Sequence, residues 1–181
     1  GSICVEQLLD AGHTVTIFDN LTEGHRAAVD PRATLIIGDL QQRGDIEGAL
    51  QTVRPDAVMH FAANALVGES MTNPSKYFRN NVIGGINLLD AMHAVGCKRL
   101  VFSSTCATYG VPPADQVPIA ETCPQRPINP YGRSKWMVEQ LLADFGAAYG
   151  QASVIFRYFN AAGADPAGDL GERSEEHTSE L

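Results

Sequence analysis

A tyrosine and a lysine stand four positions apart in the segment "NPYGRSK", which covers residues 129 to 135. Four residues make slightly more than one helical turn, so Tyr131 and Lys135 would lie on one face of a helix, within reach of each other. An ammonium ion near a phenol favours the phenolate, which lowers the pKa of a tyrosine toward the range where it acts as a base. The pair therefore indicates proton transfer, although a tyrosine and a lysine at this spacing also occur together by chance.

The residues around the pair favour a helix. Asn129 is a good N-cap, Pro130 suits the first helical position, and the residues that follow continue a helical pattern to Gly150. The two side chains would then project from the first turn of that helix. What they could act on depends on the elements that bring other polar groups to the same place.

Five short apolar segments alternate with longer amphipathic segments along the chain. Because the apolar residues of the short segments are consecutive, these segments are typical of strands buried on both faces. Alternating strands and helices predict an α/β fold with a doubly wound parallel sheet of the Rossmann-like kind. The predicted strands cover residues 13 to 19, 33 to 39, 57 to 63, 99 to 105 and 153 to 160, and the predicted helices cover residues 5 to 12, 44 to 53, 77 to 96 and 130 to 150.

Both ends of the chain depart from that fold. The sequence begins within the first predicted helix, so we expect the opening strand and the first two glycines of the phosphate-binding turn to be absent, with Gly1 as the last glycine. Residues 173 to 181 match one reading frame of a common sequencing-library adapter, and we predict that they are not native. We therefore expect a partial NAD-binding domain over residues 1 to 172, truncated at both ends, that folds poorly on its own, binds no dinucleotide and is inactive.

The composition is that of one globular domain, with 181 residues of which 44% are hydrophobic and 19% are charged. A net charge of −8 disfavours binding to nucleic acid or to an anionic membrane, because both surfaces attract clustered lysine and arginine. No apolar run approaches the ~18 residues of a transmembrane helix. The four cysteines and five histidines show no metal-ligand spacing. We predict a cytoplasmic protein without a metal site.

Polar residues end three of the predicted strands, where a doubly wound sheet binds its ligands. These ends carry Asp19, Asp39 and the hydroxyl run from Ser103 to Thr105. A carboxylate at Asp19 would accept hydrogen bonds from the adenosine ribose of NAD and would repel the 2′-phosphate of NADP. Each position also has a plain structural interpretation, since aspartates form turns and hydroxyl groups cap strand ends.

Three separated segments, "SSTCATYG", "NPYGRSK" and "RYFNAAGADPAG", agree in order and spacing with one protein family. Together they resemble the extended short-chain dehydrogenase/reductases and, among these, the nucleotide-sugar 4-epimerases, over residues 1 to 172. The resemblance implies that Tyr131 is the catalytic base and that Lys135 lowers its pKa and binds the nicotinamide ribose. It also implies that the hydroxyl of Thr105 hydrogen-bonds the 4-hydroxyl of the sugar.

The resemblance further implies a cofactor, a substrate and a partner. These are a tightly bound NAD, a UDP-sugar interconverted between UDP-glucose and UDP-galactose through a 4-keto intermediate, and a second copy of the chain in a homodimer. The positions that match cofactor-binding residues are Gly1, Asp19, Asn20, Asp39, Leu40, Phe61, Ala62, Ala63, Asn80, Tyr131, Lys135 and Phe159, and those that match substrate-binding residues are Thr105, Tyr131 and Asn160. At Ala65 the chain departs from the family, because some epimerases carry a cofactor-contacting lysine there.

Several other functions share these motifs. Epimerases acting on UDP-arabinose/xylose or UDP-glucuronate are not separated from the expected enzyme by the residues present. A nucleotide-sugar 4,6-dehydratase needs an acid and a base directly after the threonine, where Cys106 and Ala107 are poorly suited to proton transfer. A dehydrogenase that releases NADH and a non-catalytic NAD-sensing protein also remain open, although a sensor has no need of the tyrosine, lysine and threonine.

Overall fold

The computed structural model describes residues 1 to 161 and residue 168. Parallel strands alternate with helices along this part of the chain. The strands are β1 (Thr16–Asp19), β2 (Thr34–Ile37), β3 (Val58–His60), β4 (Arg99–Thr105) and β5 (Ala152–Tyr158), and the α-helices are α1 (Ser2–Asp10), α2 (Arg43–Val53), α3 (Val67–Thr72), α4 (Pro74–Tyr77), α5 (Gly84–Val95) and α6 (Pro130–Tyr149). Short 3₁₀ turns cover Arg26–Ala28, Cys106–Thr108 and Ala114–Gln116.

The strands pair in two parallel groups, one of β1 with β2 and one in the order β3-β4-β5. In the second group Ser104 lies opposite Arg157 and Thr105 lies opposite Tyr158. Parallel pairing with helical crossovers confirms the predicted α/β fold of the Rossmann-like kind. A doubly wound sheet has the strand order 3-2-1-4-5-6. In that general numbering, the β1-β2 pair corresponds to strands 2 and 3, and the β3-β4-β5 group corresponds to strands 4, 5 and 6, on the other side of strand 1.

The hydrophobic core lies between the β3-β4-β5 group and helices α2, α5 and α6. Apolar side chains from all three helices meet the strand residues Leu100 and Phe102 there. Helix α5 contributes most, because four of its apolar residues belong to the buried cluster. The buried cluster comprises Ile46, Leu50, Leu88, Leu89, Ala91, Met92, Cys97, Leu100, Phe102, Val138 and Leu142.

The prediction that the strands are buried on both faces is wrong for β2 and β3, where Ile37 and Met59 are 55% and 38% exposed, and most clearly for β5. Val154, Phe156 and Tyr158 are 52%, 46% and 42% exposed. They share one face because side chains alternate along a strand, and this face lies opposite the core helices. Ile155, on the other face, packs against the core. In the described residues the consecutive apolar pattern therefore reflects an apolar face that no helix covers.

The predicted boundaries are close for most elements. Strand β4 is observed at its predicted bounds, whereas β3 ends at His60 because the next residues form a loop. The helix predicted over residues 77 to 96 is interrupted by a π-helical turn, Phe78–Ile83, and helix α3 was not predicted. Within the described ranges no helix is long and apolar enough to cross a bilayer. The predicted adapter segment, residues 173 to 181, lies outside them.

Candidate active site

Helix α6 begins as its sequence predicts. The side-chain oxygen of Asn129 accepts a hydrogen bond from the Gly132 N–H at 2.7 Å, and Pro130 occupies the first helical position. An N-cap of this kind satisfies one of the free N–H groups of the first turn. Tyr131 and Lys135 therefore belong to the first turns of a helix, as predicted.

The turn after β4 lies directly against this helix start. The hydroxyl oxygen of Thr105 accepts a hydrogen bond from the Ala107 N–H at 3.2 Å, which caps the 3₁₀ turn. A Cβ atom on Gly132 would lie 2.6 Å from the Ala107 carbonyl oxygen, so only glycine fits there without movement. This close approach brings Tyr131 beside Thr105, whose hydroxyl acts on the pKa of the phenol.

The phenol of Tyr131 is half-buried, and its environment opposes ionisation. Burial raises its pKa above the ordinary value, the Thr105 hydroxyl lowers it, and the negative charge of a Cys106 thiolate would raise it. Lys135 is not among the groups that shift this pKa in the observed arrangement, because its ammonium is directed to a backbone carbonyl, so its effect on Tyr131 stays a prediction. Its Nζ donates a hydrogen bond to the Ser103 carbonyl at 2.8 Å.

Lys135 lies almost wholly inside the protein, with 3% of its surface exposed. Its Nζ lies 4.9 Å from the centre of the Phe102 ring, a cation–π contact. Burial lowers the pKa of Lys135 to about 8. The neighbouring His60 is also buried, and burial together with the charge of Lys135 lowers its pKa to about 3. At neutral pH the site therefore holds one buried positive charge beside a neutral imidazole.

A buried asparagine, which the sequence analysis missed, joins the loop after β3 to the first turn of α6. The amide of Asn81 donates to the Asn64 carbonyl at 3.1 Å and to the Ser134 hydroxyl at 2.9 Å, and it accepts from the Asn64 N–H at 2.9 Å. Ser134 in turn donates to the Tyr131 carbonyl at 2.7 Å. Asn81 therefore helps to hold the backbone of Tyr131 in place.

A sequence signal for Asn81 existed. Asparagine is unfavourable inside a helix because its side chain competes for backbone hydrogen bonds, so "NN" within the predicted helix 77 to 96 was a local conflict. The structure resolves that conflict with the π-helical turn. The predicted cofactor residue Asn80 donates to the Asn81 oxygen at 3.0 Å and is half-buried.

The predicted cofactor residues Asp19, Asn20 and Asp39 lie at or just beyond the carboxyl ends of β1 and β2. Asn20 donates from its amide to a carboxylate oxygen of Asp39 at 3.1 Å, and Asp19 accepts from the Leu21 N–H at 2.7 Å. Leu21 has a φ of 59°, a left-handed conformation that is uncommon for a bulky residue. The carbonyl of Leu40 accepts from Asn87 at 2.7 Å, which fixes the turn after β2.

Most of the remaining predicted residues lie in the segments that directly follow β3 and β5. Phe61 and Ala62 are exposed in the loop after β3, and Ala63 is half-buried. Phe159 and Asn160 are exposed just after β5. Gly1 lies at the N-terminus of α1, and no hydrogen bond between described residues joins it to the Tyr131 region.

Known proteins resemble the chain in both sequence and structure. The chain matches the model of the NAD dependent epimerase/dehydratase family over residues 1–177. It is 51% identical over 172 residues to a UDP-glucose 4-epimerase of Lacticaseibacillus casei, covering 95% of this chain and 51% of that protein. A UDP-glucose 4-epimerase of Streptococcus mutans is likewise 51% identical, with 95% of this chain and 52% of the relative covered.

Among solved structures, the UDP-glucose 4-epimerase of Brucella ovis in complex with NAD superposes with a TM-score of 0.92 at 46% identity, covering 96% of this chain and 52% of that chain. The Thermotoga maritima enzyme with UDP-glucose has a TM-score of 0.84 at 32% identity, with 94% of this chain and 56% of that chain covered. The chain spans about half the length of the curated relatives it matches.

The contact between Gly132 and Ala107 leads to a prediction about stability. Replacing Gly132 with alanine in the full-length protein should lower the free energy of unfolding by about 1 to 3 kcal/mol, because the new Cβ pushes against a backbone carbonyl. The matched control is Gly48→Ala in α2, where a Cβ meets open space and helix propensity predicts a gain of about 0.5 to 1 kcal/mol. Denaturant unfolding of both variants measures the difference, and equal effects would refute the steric explanation.

Burial of Lys135 predicts a pH-dependent effect on stability. The pKa of Lys135 is lower in the folded protein than in the unfolded chain, so burying the charged lysine lowers the free energy of unfolding fully at pH values below about 8. This loss of stability decreases as the pH rises and disappears above the unfolded pKa near 10.4, where the lysine is deprotonated in both states. Lys135→Met should therefore be more stable than the unmodified protein at pH 7, by on the order of 1 to 3 kcal/mol. That advantage should shrink toward pH 10 in denaturant titrations. A variant that is less stable at pH 7 than at pH 10, relative to the parent, would contradict this sign.

Proposed function

This chain belongs to the NAD dependent epimerase/dehydratase family, and we propose that the full-length protein is a UDP-glucose 4-epimerase that interconverts UDP-glucose and UDP-galactose. One observation supports this most strongly: Tyr131, Thr105 and the buried Lys135 meet where β4 ends and α6 begins. The relatives that are about half identical to the chain carry the same activity in their names. The substrate is therefore a UDP-sugar.

The strand ends fit the cofactor NAD. Asp19 supplies carboxylate oxygens at the end of β1, as ribose hydroxyl groups require, and the next residue, Asn20, donates to Asp39 beyond the end of β2. When bound, NAD supplies a positively charged nicotinamide that accepts hydride from C4 of the sugar and returns it to the opposite face. An ammonium has three donors, and Lys135 uses one on Ser103. The other two remain for the hydroxyl groups of the nicotinamide ribose.

Tyr131 and Thr105 are the residues proposed to act on the proton of the sugar 4-hydroxyl. The Thr105 hydroxyl orients the sugar 4-hydroxyl toward the phenol, and Tyr131 takes its proton when the sugar is oxidised and gives it back when the 4-keto sugar is reduced. Because the observed environment raises the pKa of Tyr131, the phenolate needs positive charge nearby. The bound cofactor and Lys135 are the sources of that charge in this proposal.

The turn after Thr105 weighs against dehydration. A 4,6-dehydratase must also move a proton at C5, which needs a further acid and base. The two positions that follow Thr105 form the 3₁₀ turn and are occupied by Cys106 and Ala107. A methyl group transfers no proton, and no carboxylate stands in this turn.

We also place the protein in the cytoplasm and propose that it forms a homodimer. Its four cysteines are free, as is usual in a reducing compartment. The dimer surface is a groove of about 500 Å³ between the π-helical turn and α6. Ile83 and Met137 on this groove are 44% and 37% exposed, and a second copy related by a two-fold axis would bury both. The groove is lined by Ser75, Phe78, Arg79, Val82, Ile83 and Met137.

The dimer proposal predicts that Ile83→Asp converts the full-length protein to a monomer, because the new carboxylate would be buried without a partner. Light scattering after size-exclusion chromatography measures the mass. The control is Val111→Asp on a loop residue that is 78% exposed, and it should leave the mass unchanged. A dimer that survives Ile83→Asp would place the interface elsewhere.

The activity itself is tested by proton NMR of UDP-galactose incubated with the full-length protein and NAD. We expect conversion to UDP-glucose without accumulation of NADH. Tyr131→Phe should lower the rate at least about a hundredfold, because the proton acceptor is lost. Tyr149→Phe, at the exposed end of α6, is the matched control and should retain the rate. A 4-keto-6-deoxy product or stoichiometric NADH would overturn the proposal in favour of a dehydratase or a dehydrogenase.

A further inference from the structure

A buried carboxylate lies one helical turn beyond Lys135, outside the residues assigned to the reaction. The side chain of Glu139 is 5% exposed. Its Oε2 accepts from Gln125 Nε2 and from Arg157 Nη2, both at 2.8 Å, and its Oε1 accepts from the Ser104 hydroxyl and from Arg157 Nε. Both carboxylate oxygens of Glu139 therefore accept hydrogen bonds, and the planar guanidinium of Arg157 donates to each of them.

Arg157 extends the same network to the loop beyond β4. It lies opposite Ser104 in the β4-β5 pairing, so both side chains reach α6 from one face of the sheet. Its Nη1 donates to the Tyr109 hydroxyl at 2.9 Å and to the Glu121 carbonyl at 3.1 Å. The ion pair therefore connects the ends of β4 and β5, helix α6 and the loop that follows Thr105.

Two contacts of α6 fix its position on the end of β4. Lys135 donates to the carbonyl of Ser103, and four residues later Glu139 accepts from the side chain of Ser104. Because Ser104 directly precedes Thr105, holding the Ser104 side chain against α6 also fixes the backbone that carries Thr105. The same two contacts set how far along the strand the helix start lies, and Tyr131 belongs to that helix start.

We propose that the Glu139–Arg157 pair is a positioning pair, which holds Thr105 and Tyr131 at their working separation in the reaction. The inference rests on the proposed function. Stability alone does not require an ion pair here, since apolar residues that replace a buried pair often preserve or increase stability. What apolar residues cannot reproduce is the set of directed hydrogen bonds that ties Ser104, Gln125 and Tyr109 to one carboxylate and one guanidinium.

The test separates positioning from folding with a paired replacement in the full-length protein. We expect the double variant Glu139→Leu, Arg157→Met to melt within about 5 °C of the parent. Its kcat for UDP-galactose should fall about tenfold to a hundredfold with KM changed less than about threefold, because reacting groups are misplaced rather than lost. The control removes the exposed pair Arg43–Glu47 with Arg43→Met, Glu47→Leu and should leave kcat unchanged.

If the double variant does not fold, Glu139→Gln gives the same readout, since it keeps the shape of the side chain and removes its charge. A folded variant with the kcat of the parent, or with a changed KM alone, would overturn the proposal. The parent rate, measured first, reports on the proposed function independently of this comparison.

A second measurement does not depend on turnover. Carbon-13 NMR of labelled tyrosine, with the Tyr131 signal assigned by Tyr131→Phe, follows ionisation of the phenol. Because the Thr105 hydroxyl lowers the pKa of Tyr131, Glu139→Gln should raise that pKa in the same direction as Thr105→Val does. An unchanged pKa in Glu139→Gln would overturn the positioning role. A raised pKa in a protein that epimerises no UDP-sugar would reject the proposed function and support the positioning role.

Discussion

At Gly132 the backbone of helix α6 lies so close to the turn after β4 that a side chain would come within 2.6 Å of the Ala107 carbonyl oxygen. This approach depends on a glycine directly after Tyr131 and on the capped 3₁₀ turn that begins at Thr105. With a larger residue the helix would have to retreat from the strand. Tyr131 would then move away from Thr105, and Lys135 would lose the carbonyl of Ser103 that now accepts from it at 2.8 Å.

The same packing buries a charged side chain, which costs free energy of folding. Seating α6 against β4 places the ammonium of Lys135 among apolar side chains, next to the Phe102 ring and the neutral His60. Burial disfavours the charged form, and the lowered pKa of Lys135 records this cost. One turn further along α6, by contrast, the carboxylate of Glu139 is fully paired. The helix thus carries one buried carboxylate that is paired with a guanidinium and one buried ammonium whose hydrogen bond goes to the uncharged carbonyl of Ser103.

Local sequence signals predicted the features that depend on neighbouring residues alone, such as the start of a helix and the bounds of a strand. "NP" before Tyr131 specified the N-cap and first residue of α6, and consecutive apolar residues specified β4 at its observed bounds. The aspartates at the ends of β1 and β2 could be placed because parallel strands bring their carboxyl ends to one edge. A further part came from family resemblance, which singled out Thr105 and the residues on the rims of the strands.

Long-range contacts could not be predicted in this way. The direction of the Lys135 ammonium depends on a carbonyl 32 residues earlier, so helical spacing alone could not show that its hydrogen bond goes to Ser103. The partners of Glu139 come from a strand, a loop and a second strand, and Glu139 looks like any helix-surface glutamate in the sequence. Asn81 was detectable in principle, because an asparagine in a helix interior is a local conflict, but its partners Asn64 and Ser134 were not.

In the proposed reaction, the groups gathered between β4 and α6 carry out an epimerisation in which hydride leaves C4 of the sugar and returns to the same carbon. The most direct measurement is NMR of UDP-galactose deuterated at C4, incubated with the full-length protein and NAD in ordinary water. We predict UDP-glucose that keeps its deuterium at C4, with no exchange from solvent. Loss of the label to water, its appearance in released NADH, or solvent hydrogen at C5 would contradict the claim.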